Sequence, residues 1–340
     1  MMHMQFKEII KRNPLIRRLG KKVNILRAYY HDVKDFNGYY NESAEVQNEF
    51  SYSIMLLVHS LEKGMCMKEI RPYGFQKVNK LKNFLRNCKK PKGKFGKMIV
   101  SAMKTADVSA FEYQLGVAVL EAWVRLFREN NWTDYQEYKD TEAFIADKHS
   151  ELLAGRKLYE PNSTNFKSYF DFIASRHSVR EFQEAEISEK DVEIALECFR
   201  ETPTACNRQM CRVIEVKSTD IKEQLSGALI GIQGFDRKSV NYFVITYDLA
   251  SLAYSGERQQ GFFNAGLCAM NFINGLHSRG IGSCCLQWSN NYTEDTYIRK
   301  LLNLRKSERI AVVIGAGYYL NHNIIPCSCR RSITDLLRVV

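Results

Sequence analysis

From Val46 onward, the apolar residues Phe50, Ile54, Leu57 and Leu61 recur at three- and four-residue steps, which places them on one helix face that Gly64 is suited to cap. A second helical stretch covers about residues 108–128, where Phe111, Leu115, Val119, Trp123 and Phe127 are spaced four apart. Both patterns predict core-facing helices. After about Asn165 the texture changes. The runs CRVIEVK near Cys211, NYFVITYD near Asn241 and RIAVVIGAGYY near Arg309 read as buried strands, with a helix over 192–200 before the first of them. Between the second and third runs lies GFFNAGLCAMNFINGLHSRG, apolar around most of its circumference, which predicts a centrally buried helix. Strands alternating with helices in this way indicate an α/β or α+β layer fold. The chain divides between the acidic, polar run near Asp147 and the segment around Tyr169, giving a helical part over 1–165 and a β-containing part over 166–340.

Composition narrows the class. With 340 residues, 45% of them hydrophobic and 26% charged, the chain is an ordinary globular protein large enough for two domains. No window is apolar enough for a membrane-spanning helix, and the N-terminus lacks a secretory apolar stretch, so a cytoplasmic protein with reduced thiols is expected. The net charge of +11 has a local source. Residues 7–27 carry eight Lys and Arg against the single acid Glu8, interleaved with Ile9, Ile10, Leu15, Ile16, Leu19, Val23 and Leu26. Such a stretch is either a helix with a solvated basic face or a peripheral contact for an anionic membrane surface or an acidic partner. Nucleic-acid binding is not expected, because stacking motifs and a recognition helix are missing. Nor is a metal site expected, because Cys284-Cys285 and Cys327-x-Cys329 lack paired C-x-x-C spacing and partner histidines.

Candidate chemistry lies in four clusters, with a fifth motif apart from them. Ser175-Arg176-His177-Ser178-Val179-Arg180 places two arginine forks and a hydroxyl where a phosphate could be held, or where solvated charge could simply lie. Thr202-Pro203-Thr204-Ala205-Cys206-Asn207-Arg208-Gln209 concentrates amides that suit a heteroaromatic ring edge, in what could equally be a closed turn. Gly280-Ile281-Gly282-Ser283-Cys284 follows the apolar helix, its first glycine placed to end it and its second to permit a close backbone approach. Arg330 and Arg331 follow the last strand, as phosphate ligands or as a basic tail. HSLEKG, residues 59–64, gathers His59, Glu62 and Lys63 within one turn, where an acid, a base and a cation could form part of a site or could simply be polar groups near a helix end whose dipole favours the cation.

In this order, R-H-S-V-R-x-F, P-T-A-C-N-R-Q, a buried helix ending G-I-G-S-C and a strand ending G-A-G-Y, the clusters resemble the nitroreductase family of FMN-dependent oxidoreductases from about Asn165 to Val340. The resemblance implies an α+β nitroreductase-like fold, in which a central mixed, largely antiparallel β-sheet is flanked by helices and preceded by a mostly α-helical domain. It implies that Arg176, His177 and Ser178 contribute to an FMN phosphate site completed by Arg330 or Arg331, with Arg180 nearer the polar edge of the ring. Pro203, Thr204, Ala205, Asn207 and Gln209 would reach the flavin from the other subunit of a homodimer. The backbone at Leu286 and Gln287, continuing to Trp288, would lie against the hydride-accepting side, and Gln233 would line the pocket. The flavin carries the chemistry, so no catalytic acid or base is required. NADH or NADPH is the expected donor and a nitro, quinone or other electrophile the expected acceptor. Two positions depart from the family pattern: Met210-Cys211 stands where Pro-Trp is frequent, and Cys285 where an aromatic is common. The short stretch between the strands at Cys211 and Asn241 leaves little room for a long lid. The alternative reading is a non-catalytic flavin-binding module whose basic N-terminal half docks a membrane or a protein complex.

Overall fold

The computed structural model describes residues 14–39, 50–67, 70–87, 111–156, 166–229, 232, 237, 239–323 and 333–340. Five helices come first: α1 (Pro14–Tyr39), α2 (Phe50–Met65), α3 (Phe75–Asn87), α4 (Phe111–Glu129) and α5 (Gln136–Ile145). There follow α6 (Phe166–Ser175), α7 (Glu189–Arg200), β1 (Cys211–Val216), α8 (Thr219–Ala228) and β2 (Asn241–Asp248). The chain continues through α9 (Gln260–Ser278), β3 (Ile281–Leu286), α10 (Tyr292–Leu301) and β4 (Glu308–Tyr318).

The strands form one antiparallel sheet in the order β1-β2-β4-β3, joined by a parallel bridge between Ser178 and Ser283 beside β3. All eight residues of β2 are buried, because helices cover both sides of the sheet. Phe243, Ile245 and Tyr247 pack with Phe272, Leu276 and Ala195 on the α7/α9 side. Their alternates Tyr242 and Val244 pack with Leu225 and Ile298 on the α8/α10 side. The period of two along a strand therefore feeds two cores from one run, which is why NYFVITYD reads as continuously apolar. These helices around an antiparallel sheet, behind a helical N-terminal part, are the expected α+β architecture.

A third cluster lies in the N-terminal helices, where Trp123 is fully buried among Val78, Leu81, Leu120 and Phe127. Its indole N–H donates to the Tyr73 carbonyl at 3.1 Å. Helix α2 has two packed faces. Ile54, Val58, Leu61 and Met65 join the helical cluster, whereas Tyr52 and Met55 join the sheet core. The Tyr52 hydroxyl donates to Asp248 at 3.4 Å, and Asp248 also pairs with Arg305 at 2.7 Å.

Three expectations are corrected. Gly64 does not cap α2 but lies within it, because a Cβ there would stand 2.0 Å from the Tyr73 ring, so it serves close packing. A fourth strand follows α9, beyond the three that the apolar runs predict. Gly280, at φ 71°, ends the helix as expected, and the next six residues form β3. Its small side chains hid it from a reading based on β-branched and aromatic runs. Helix α9 is buried on only one side. Ala265, Cys268, Phe272 and Leu276 face the core, while Phe262, Phe263, Leu267 and Met270 are exposed.

Helices α7 and α9 cross so closely that a Cβ on Gly275 would lie 2.6 Å from the Ala195 Cα. Backbone cannot move aside as a flexible side chain can, so Gly275→Val should destabilise the protein by about 1–3 kcal/mol. Urea unfolding monitored by tryptophan fluorescence checks this, and an unchanged midpoint would mean that the crossing is looser than described.

Candidate functional site

Two polar constellations flank the sheet. In the first, the segment 176–180 lies beside the outer edge of β3. The Val179 amide donates to the Ser283 carbonyl at 3.0 Å, and Val179 and Phe182 enter the core. Glycines on the sheet permit this approach: a Cβ on Gly282 would stand 3.2 Å from Val179, and one on Gly317 would stand 2.5 Å from Phe182. Clamped by those two apolar residues, Arg176, His177, Ser178 and Arg180 remain half-buried.

No ion pair or hydrogen bond is made by the side chain of Arg176 or Arg180 among the described residues. Beside them, His277 bonds the Ser175 hydroxyl through Nε2 at 2.9 Å and the Tyr319 hydroxyl through Nδ1 at 2.9 Å. Burial first, then the charge of Arg176, holds the His277 pKa below the usual histidine value. Arg176 beside the His277 imidazole, with Arg180 four residues on in the same clamped segment, makes an electropositive margin suited to an anion.

The second constellation is the loop before β1. Its residues Ala205–Asn207 form one 3₁₀ turn, and Cys206, Asn207 and Gln209 take φ of 53°, 51° and 49°, the left-handed region that non-glycine residues avoid. Each such residue costs on the order of 1–3 kcal/mol and persists only where its surroundings enforce it. Here the enforcing group is Arg208, which is fully buried. Its two terminal nitrogens meet Glu257 at 2.7 and 2.8 Å, Nε donates to the Ala205 carbonyl at 2.9 Å, and Nη1 also donates to the Ser251 carbonyl. Burial alone would raise the Glu257 pKa, but Arg208 and the Ala253 amide outweigh it and hold the carboxylate ionised. The Thr204 hydroxyl accepts from the Gln209 amide at 2.9 Å, and Asn264 of α9 accepts from the Ala205 amide at 3.2 Å.

Thr204 and Gln209 line an open cleft of about 300 Å³, together with Phe199, Arg200 and Arg212. Cys211 and Cys268 line it too. The Cys211 thiol is pushed up by its hydrogen bond with Cys268 and by burial, so it stays protonated and is no nucleophile. Asn207 and Pro203 face solvent.

One chain does not unite the two constellations. Ala205 touches α9 at Asn264 and Ser175 touches it at His277. At 1.5 Å per residue these contacts stand about 20 Å apart along the helix. Leu286 is buried and Gln287 exposed at the end of β3, where the Trp288 indole donates to Asp295 at 2.9 Å. Gln233, Arg330 and Arg331 lie outside the described residues. The His59–Gly64 motif stays in α2, where Glu62 accepts from the Gly155 amide at 3.2 Å and Lys63 occupies the last turn. Sequence reasoning missed Arg208 and Glu257 as the anchor of the amide loop. A charged residue in a polar loop carries no mark of burial. Asn264 shares α9 with Asn271 and Asn274, so nothing local singles it out.

Glu257→Ala strands a buried guanidinium, so it should cost about 3–5 kcal/mol and loosen the loop. Chemical denaturation measures the loss, and a loss under ~1 kcal/mol would remove Arg208 from its anchoring role.

Residues 173–236 and 242–318 match the model described as the Nitroreductase family. Among solved structures, an FMN-dependent nitroreductase from Clostridium difficile is 21% identical over 46% of this chain and 91% of its own, with a TM-score of 0.40. A nitroreductase family protein from Streptococcus pneumoniae is 19% identical over 51% of this chain and 100% of its own, at 0.43. A Desulfovibrio desulfuricans protein solved in complex with FMN is 17% identical over 52% and 96%, also at 0.43. Among curated proteins nothing matches. The matched segments span the arginine segment, the amide loop and the four strands, so this part of the chain is similar to the nitroreductase family.

Proposed function

We propose that the protein is an FMN-dependent oxidoreductase, working as a homodimer whose two sites are each built by both chains. The observation that carries this reading is the pair of half-buried arginines, Arg176 and Arg180, held against β3 with no counterion among the described residues. Burying cations without a counterion is costly, and an anionic ligand relieves that cost. A flavin phosphate fits the donor set, since Arg176 and Ser178 supply a guanidinium fork and a hydroxyl. The family match supports oxidoreductase chemistry.

When bound, FMN supplies two-electron chemistry that carries hydride from NADH or NADPH to a nitro, quinone or other electrophilic acceptor. The chain binds and orients. Arg176, His177 and Ser178 hold the phosphate, with Arg330 or Arg331 completing the pocket. Arg180 places positive charge toward the ring, where it stabilises negative charge developed on reduction. Asn207 and Gln209, preset by the strained turn and the Arg208 anchor, offer amides to the ring edge from the second subunit, with Pro203, Thr204 and Ala205 shaping that loop. The backbone at Leu286 and Gln287 borders the reacting side, and Gln233 lines the pocket.

Two observations support shared sites. The amide loop and the arginine segment lie toward opposite ends of α9, so a second chain is needed to bring them together. The exposed stripe Phe263, Leu267 and Met270 on α9 is an apolar face of the kind that a second copy covers.

The first test is the absorption spectrum of purified protein before and after anaerobic NADH or NADPH. A yellow protein that bleaches is expected. A yellow protein that does not bleach would favour a non-catalytic flavin module, and a colourless one that FMN cannot reconstitute would overturn the proposal. Arg176→Ala should weaken FMN retention about ten- to a hundredfold, the loss of one charge-assisted phosphate contact. Equilibrium dialysis reads this out, and unchanged affinity would refute that role. Co-expressing Arg176→Ala with Asn207→Ala chains should restore one intact site per heterodimer, whereas absence of rescue would count against shared sites.

A further inference from the structure

We propose that α1 is a peripheral membrane anchor that lies in the headgroup region of an anionic bilayer. The helix has two opposed faces. One is fastened to the C-terminal part: the His31 ring stacks on Tyr292 at 3.7 Å, Asp35 pairs with Arg309 at 2.6 Å, and Arg309 stands over the Tyr39 ring at 5.6 Å. Phe36 and Tyr39 pack on the sheet core. The other face carries Leu19, Val23, Leu26, Tyr30 and Val33, spaced alternately by four and three residues, each between 53% and 69% exposed. At about 100° per residue, this stripe points nearly opposite to the line through His31, Asp35 and Tyr39. The described residues leave this stripe exposed.

Charge selects the occupant. From Pro14 to His31 the helix contains Arg17, Arg18, Lys21, Lys22 and Arg27 and no acid. Lys22 and Arg27 are exposed on the two flanks of the stripe, and Lys34 adds a third cation beside it. A second copy of this chain, with a net charge of +11, is a poor partner for an apolar strip bordered by cations. An anionic lipid surface answers both features, taking the leucines, valines and the Tyr30 ring into the acyl boundary and Lys22, Arg27 and Lys34 among the headgroups. No described helix is long and apolar enough to cross a membrane, so the contact is interfacial. The anchor would hold the C-terminal part beside the bilayer whether or not the flavin reading is correct.

The test is co-sedimentation of the full-length protein with vesicles of phosphatidylglycerol and phosphatidylcholine, compared with phosphatidylcholine alone. Binding to the anionic vesicles is expected, weakened by added salt. The double variant Leu19→Glu/Leu26→Glu should abolish it, and Lys22→Glu/Arg27→Glu should reduce partitioning about tenfold or more. Circular dichroism and gel filtration accompany each variant. Absence of binding to anionic vesicles, or unchanged binding by the stripe variant, would overturn the proposal. So would a stripe variant that converts a larger species to a smaller one, since that outcome makes the stripe an interface between copies.

Discussion

The sheet is covered by helices on both faces, and that constraint places everything polar in the C-terminal part. Strand β2 is paired on both sides and buried on both faces, so its hydrogen bonds are internal and its side chains are committed to packing. A ligand needing charge or amides can be met only at the edges and ends. The arginine segment accordingly lies along β3, and the amide loop leads into β1, at the opposite edge.

Each constellation is held by a different physical device. Beside β3, glycines at 282 and 317 remove the Cβ atoms that would keep the chain away, and Val179 and Phe182 then bury themselves so that their neighbours cannot. In the amide loop, three left-handed residues store strain that an extended chain would release. A buried guanidinium joined to Glu257 and two carbonyls offsets that tendency. Both devices preset polar groups before any ligand arrives, which reduces the ordering cost of binding.

Helix α2 ties the N-terminal helices to this arrangement. Its Tyr52 and Met55 enter the sheet core while its other face builds the cluster around Trp123. Tyr52 also reaches Asp248, whose carboxylate pairs with Arg305. The helix packs against the Ala205–Asn207 turn as well, so displacement of the N-terminal helices would be felt at the amide loop. Helix α1 is fastened to the C-terminal part through the His31–Tyr292 stack, the Asp35–Arg309 ion pair, and Phe36 and Tyr39 packed on the sheet core.

Much of the architecture was legible in the sequence because it is set by local periodicity. The four-residue spacing of Leu115, Val119, Trp123 and Phe127 and the apolar runs at Cys211, Asn241 and Arg309 each report a face buried against something. The order of the motif clusters likewise marked the family without any geometry. What periodicity cannot report is the partner. Whether the second apolar face of α9 meets its own chain, whether Arg208 is solvated or fully buried against Glu257, and whether GIGSCC makes a strand all depend on residues distant in sequence. Only tertiary structure decided that Arg176 and Asn207 lie toward opposite ends of one helix, because that separation comes from how the sheet orders its strands rather than from any local pattern.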